Sequence, residues 1–223
     1  DGRITQDRVD DAVRRIIKVK QEAGVIEDPF FINVKTKQSA TGSDEYRALA
    51  EKAVEESLVL IKNDNDVLPI ASGKKIYIMG PAADDAAVQC GGWTLDWQGP
   101  NTSEVPGATT IKEGFEEVCE EQGIEIVSDM SDADEIILVV GEETYAEWPG
   151  DTEDLQLCGS LGLEGNEGAI KKAKESGKPV VALIVAGRNV IISDYANDWD
   201  GIVMCYLPGS EGQGVANVVC GKA

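Results

Sequence analysis

The chain holds 223 residues, with 41 acidic against 20 basic side chains, a formal net charge of −21 and no histidine. That charge excludes nucleic acid and anionic membrane surfaces as partners and is compatible with a neutral ligand such as a sugar. Without histidine there is no Ser-His-Asp or Cys-His mechanism and no histidine-based metal site, so carboxylates must carry any proton transfer.

In chain order, Thr5 predicts the cap of a helix running to about Glu22. Val9, Val13, Ile16 and Ile17 stand at helical spacing and Gly24 is the stop. Asp28-Pro29 breaks the chain, and Phe30 to Ser43 reads as a linker. A second helix starts near Ser43, with Leu49, Ala53 and Val54 on one face. Short apolar runs at 76–79, 124–127, 136–140, 180–185 and 202–205 then read as strands. They alternate with helices near 110–122, 164–176 and 210–219, the first of them fixed by a capping box of Thr110 and Glu113. β-branched runs alternating with helices predict an α/β fold, a mainly parallel sheet covered by helices on both faces. No run approaches the ~20 apolar residues of a membrane span. No G-x-x-x-x-G-K-[ST] loop occurs, and Gly80-Pro81-Ala82-Ala83-Asp84 after the 76–79 run lacks G-x-G-x-x-G, which excludes P-loop and dinucleotide chemistry.

Two segments carry candidate chemistry. Glu147 lies among Tyr145, Trp148 and Pro149, just beyond the C-terminal end of the 136–140 run. In open α/β sheets, ligands bind at that end. A carboxyl against apolar rings has its charged form disfavoured and its pKa raised, as a general acid requires. A solvated loop glutamate is the alternative, and Glu142, Glu143 and Asp151 compete with Glu147 on chemistry alone. The second segment, Cys90 to Gly99, carries Trp93 and Trp97 four residues apart between glycines, which predicts a loop. Flat rings with a polar edge suit the C–H faces of a sugar, and filling a gap in the core is the alternative. The five cysteines (Cys90, Cys119, Cys158, Cys205 and Cys220) show no C-x-x-C spacing, so zinc is not expected, and Cys119 and Cys205 read as core residues.

Gln89-Cys90-Gly91-Gly92-Trp93-Thr94-Leu95-Asp96-Trp97-Gln98-Gly99 closely resembles a loop of glycoside hydrolase family 3, in the β-glucosidase and exo-β-glucanase branch. Val140-Gly141-Glu142-Glu143-Thr144-Tyr145-Ala146-Glu147-Trp148-Pro149-Gly150-Asp151 is similar to that family's acid/base loop. Residues 1–16 resemble the segment closing the family's barrel domain, 53–63 the start of its second domain, and 207–214 a further family phrase. The tryptophan loop is the most specific of these matches, which together run along most of the chain.

The resemblance implies a helical tail of a (β/α)8 barrel over residues 1–30, a linker over 31–45, and a C-terminally truncated α/β sandwich over 46–223. It also implies that the barrel itself, and the nucleophilic aspartate it carries, lie outside this chain, which alone would be inactive. The implied reaction is retaining hydrolysis of terminal β-D-glucosyl residues. Glu147 would be the catalytic acid/base, selected by the Tyr-x-Glu-x-x-Gly-Asp pattern, with Trp97 and Trp93 as substrate-binding rings. Trp97 is expected to face the sugar, and Trp93, if packed in the core, to hold the loop. No metal or other cofactor is implied. The implied partners are a β-linked gluco-oligosaccharide or β-glucoside and the barrel domain of the same polypeptide. The setting would be secreted or periplasmic rather than cytoplasmic. Two other readings remain open: a non-catalytic carbohydrate-binding or scaffold α/β domain, and a flavodoxin-like regulatory domain.

Overall fold

The computed structural model describes residues 2–30 and 41–223, and the chain divides into two units, Asp1–Ser43 and Asp44–Ala223. The linker expected over 31–45 falls largely on residues outside the described ones. In the first unit, helix α1 (Gln6–Glu22) begins where expected, with the Thr5 hydroxyl accepting from the Arg8 amide at 3.3 Å. None of its residues is buried, and Val9, Val13, Ile16 and Ile17 are all exposed.

The second unit contains α2 (Asp44–Ser57), β1 (Val59–Asn63), β2 (Lys75–Met79), α3 (Ala86–Cys90), α4 (Ile111–Gln122), β3 (Glu125–Ile126), β4 (Glu135–Gly141), α5 (Asn166–Glu175), β5 (Val180–Val185), β6 (Gly201–Tyr206) and α6 (Gly212–Val219). The strands form one sheet in the order β1-β6-β5-β4-β2-β3. All neighbours are parallel except β1, which runs antiparallel to β6 at one edge. The fold is thus an α/β sandwich with a mostly parallel sheet.

Its apolar runs are continuous because both faces are covered. β4 and β5 are buried at every position. Along β4, Ile137 and Val139 face a core shared with Phe115 and Val118 of α4 and Val215 and Val219 of α6. Ile136, Leu138 and Val140 face the opposite core, with Ile170 and Ala173 of α5 and with Leu157 and Trp199. The capping box starts α4 as predicted: the Thr110 hydroxyl accepts from the Glu113 amide, and the Thr110 amide donates to the Glu113 carboxylate at 2.8 Å. All five cysteines are free thiols; Cys119 and Cys205 are core residues, and the Cys119 and Cys220 sulfurs lie 4.0 Å apart.

Two expectations need correction. Residues 59–63 form a strand that periodicity did not single out, because β1 is an edge strand whose Val59, Leu60 and Ile61 stay exposed and show no alternation. Leu49 and Ala53 are exposed, and of the expected inward face of α2 only Val54 is buried. That face docks largely through polar groups. Arg47 pairs with buried Glu211 at 3.1 Å, and the Asn217 amide donates to Glu51 and Glu55 at 2.6 Å each.

Glu135, at the start of β4, is 2% exposed, and its Oε1 has no hydrogen-bond partner. Burial pushes its carboxyl up to about 7, with Asp200 and Asp134 adding to the rise and Lys74 opposing it. The unfolded chain releases this proton near the ordinary carboxylate pKa, so it binds fewer protons than the fold between that value and about pH 7. Stability therefore falls as pH rises through this window, by on the order of 3 kcal/mol in full. Glu135→Gln is expected to match wild type in Tm near pH 4.5 and to exceed it by several degrees at pH 8. Thermal unfolding across that range measures the difference.

Candidate active site

The loops after β2, β4 and β5 meet at the C-terminal edge of the sheet, where these three strands are neighbours in the order β5-β4-β2. The loop after β4 carries Glu147 and closes with a short 3-10 turn at Trp148–Gly150. The loop after β2 passes through α3 and carries Trp93 and Trp97.

These two loops are laced together. The Gln98 side chain bonds both backbone groups of Ala146: its Oε1 accepts from the amide at 2.9 Å, and its Nε2 donates to the carbonyl at 3.3 Å. The rings of Trp97 and Trp148 lie 4.7 Å apart, tilted by 59°. Gly92 is required for this approach, since a Cβ there would stand 2.3 Å from the Tyr145 carbonyl oxygen.

The third loop contributes Arg188. Its Nη2 lies 2.7 Å from Glu142 Oε1, its Nε bridges both oxygens of Glu142 at 3.2 and 3.1 Å, and its Nη1 donates to the Gly150 carbonyl at 2.9 Å. The Glu142 side chain is 1% exposed. The Tyr145 hydroxyl donates to Glu142 at 3.0 Å, and the Arg188 guanidinium stands 5.1 Å from the Tyr145 ring centre. Burial, then the bond to Glu142 and its charge, push the Tyr145 phenol up to about 12, so it stays a donor. Glu142 is thereby committed to Arg188 and Tyr145.

Glu147 is exposed, and its side chain makes no hydrogen bond to a described residue. The apolar surroundings expected from its neighbours are not formed within this unit: Trp148 turns to Trp97, and Tyr145 turns to Glu142 and Arg188. A cavity of about 820 Å³ lies nearby in sequence, lined by Asp84, Leu95, Ser103, Glu104, Pro106 and Glu113, and Glu147, Trp93 and Trp97 do not line it. The backbone at Glu147 has φ 56° and ψ −134°, a region that favours glycine. Such conformations cost about 1–3 kcal/mol and persist only where the surroundings enforce them. Trp93 and Leu95 also have positive φ, at 61° each, as do Asn65, Asp66 and Tyr206 outside these two loops.

The two tryptophans part company in burial. Trp97 is half-buried against Trp148, whereas Trp93 is 68% exposed, so its ring does not fill a gap in the core. Trp93→Ala is expected to stay within about 0.5 kcal/mol of wild type. Trp97→Ala is expected to cost about 1–2 kcal/mol through the lost ring pair and buried area. Urea unfolding of the two variants reads both.

Among the described residues no group of three or more acidic or cysteine side chains is arranged to hold a metal ion, and no helix is long and apolar enough to cross a membrane.

Residues 58–223 match the family model described as the glycosyl hydrolase family 3 C-terminal domain. This chain belongs to glycoside hydrolase family 3. A family 3 crystal structure, the exo-1,3/1,4-beta-glucanase of a Pseudoalteromonas species, superposes with a TM-score of 0.87 at 36% identity, covering 98% of this chain and 28% of that one. The beta-glucosidase of Listeria innocua, solved in complex with laminaribiose as a mutant, superposes at 0.80 and 26% identity, covering 100% of this chain and 31% of that one. Among curated relatives, the lysosomal beta glucosidase of Dictyostelium discoideum is 30% identical over 99% of this chain and 30% of its own length. The chain thus spans about a third of the length of the family 3 proteins it matches. The sequence singles out Glu147, Trp97 and Trp93 in these loops; Gln98 lies within the tryptophan phrase without a role, and Arg188 lies outside every family phrase.

Proposed function

We propose that this domain supplies the general acid/base of a retaining β-glucosidase or exo-β-glucanase acting on terminal β-D-glucosyl residues. The observation that carries the reading is Glu147 itself: an exposed carboxylate at a strand's C-terminal end, on a strained backbone enforced from both sides. Support also comes from the family membership and from relatives named as β-glucosidases and glucanases.

In this mechanism the nucleophile is an aspartate of a barrel domain in the same polypeptide. It attacks the anomeric carbon and forms a glycosyl-enzyme. Glu147, protonated, gives its proton to the departing glycosidic oxygen. As a carboxylate it then takes a proton from the water that attacks the glycosyl-enzyme, which returns Glu147 to its starting form. Retention requires the two carboxyls to stand about 5–5.5 Å apart. Trp97 and the exposed ring of Trp93 stack on the sugar or its leaving group, as flat amphipathic rings do. Glucose is the preferred sugar, with xylose and N-acetylglucosamine as the alternatives to test. A secreted or periplasmic setting accords with such substrates.

Turnover of an aryl β-glucoside tests the division of labour. The full-length protein is expected to hydrolyse it and residues 1–223 alone to give no rate above buffer, because groups that act as a unit lose nearly everything when one is absent. Enzyme-like turnover by residues 1–223 alone would overturn the assignment of the nucleophile to another domain. No turnover by the full-length protein would favour the carbohydrate-binding alternative.

A further inference from the structure

Glu147 makes no side-chain hydrogen bond to a described residue, so the aim of its carboxyl is set by its backbone. That backbone is held on both sides by side chains from flanking loops. On the N-terminal side, Gln98 bonds the amide and the carbonyl of Ala146, as a neighbouring strand would. On the C-terminal side, Arg188 donates to the Gly150 carbonyl, and the Gly150 amide donates to the Glu147 carbonyl at 2.9 Å, closing the turn. Arg188 is anchored in turn by the buried carboxylate of Glu142 at the end of β4. Gln98 comes from the β2 side of β4 and Arg188 from the β5 side, so the turn is gripped from left and right.

We propose that Gln98 and Arg188 are positioning residues for Glu147, holding its strained backbone so that the carboxyl meets the glycosidic oxygen. This rests on the acid/base reading of Glu147. Neither residue touches the reacting atoms. Releasing either clamp lets the turn relax and swings the carboxyl away, and small displacements of a catalytic group carry large rate penalties. The loss falls on the step that needs a proton, so it depends on the leaving group.

The test uses the full-length enzyme with Gln98→Ala and Arg188→Lys, and with Glu147→Gln measured in parallel. Arg188→Lys keeps a positive charge opposite Glu142 but loses the planar fork that also reaches Gly150. Glycosylation rates are compared on a disaccharide and on a dinitrophenyl β-glucoside, whose leaving group departs without protonation. Each clamp variant is expected to lose roughly 10- to 100-fold on the disaccharide and less than about twofold on the activated glycoside. Tm is recorded for each variant. Equal losses on both substrates, in step with a lowered Tm, would reduce the two residues to scaffold and overturn the inference. If Glu147→Gln shows the leaving-group dependence and both clamp variants do not, the inference falls while the acid assignment stands. If Glu147→Gln shows none, both fall.

Discussion

Glu147→Gln in the full-length enzyme is expected to slow glycosylation by about 100- to 10,000-fold on substrates with poor leaving groups, the usual worth of a positioned general acid. Glutamine keeps the shape of the side chain and cannot give up a proton. A dinitrophenyl glycoside leaves unaided, so its first step should proceed near the wild-type rate. Its glycosyl-enzyme then accumulates, because no carboxylate activates the water. Stopped-flow release of the phenol should therefore show a burst followed by a slow steady state. Equal losses for good and poor leaving groups in the first step would exclude the acid role. The exposed position of Glu147 makes the substitution safe for the fold, which separates loss of chemistry from loss of protein.

The largest effect on stability is expected at Arg188. Arg188→Ala leaves the Glu142 carboxylate, 1% exposed, with the Tyr145 hydroxyl and without its cation. Removing one partner of a buried pair costs about 3–5 kcal/mol, because the remaining charge loses its compensation. The double variant Arg188→Met with Glu142→Leu removes both charges and should recover much of that loss. A double-mutant cycle by urea unfolding of this chain measures the coupling. A fall of less than about 1 kcal/mol for Arg188→Ala would place the pair among solvated surface contacts.

These two predictions stand at different depths in the sequence. The sheet was legible because β4 and β5 are buried on both faces, so each is an unbroken apolar run. α4 was legible from its capping box. β1 was not, since an edge strand with exposed Val59, Leu60 and Ile61 carries no pattern that separates it from the end of α2. The inward face of α2 was misjudged because Arg47, Glu51 and Glu55 meet polar partners, and hydrophobic spacing is blind to such docking. The place of Glu147 beyond a strand's C-terminal end could be read from the sequence, and the tryptophan loop from its glycines. Gln98 stands within the tryptophan phrase, but its bonds and those of Arg188 could not be read, because bonds to backbone carbonyls and amides leave no spacing in a sequence. Glu142 and Arg188 lie 46 residues apart, and only the neighbouring of β4 and β5 brings them together. The sequence leaves Trp93 between a sugar-facing ring and a core filler, and its 68% exposure removes the second.

The pairing of β1 with β6 also bears on how the chain is made. Val59 faces Met204 and Leu60 faces Val203, so β1 has no partner until β6 has left the ribosome. At synthesis rates of about 5–20 residues per second, that leaves Val59, Leu60 and Ile61 unpaired for on the order of ten seconds. The segment is apolar, β-branched in two of three positions and uncharged, which is the composition that recruits other strands. Its exposure in the nascent chain is imposed by the order of strands in the sheet, and no change confined to residues 59–61 can shorten it. Its pairing therefore completes only when residues 201–206 appear, and β5, which borders β6 on its other side, waits for the same strand.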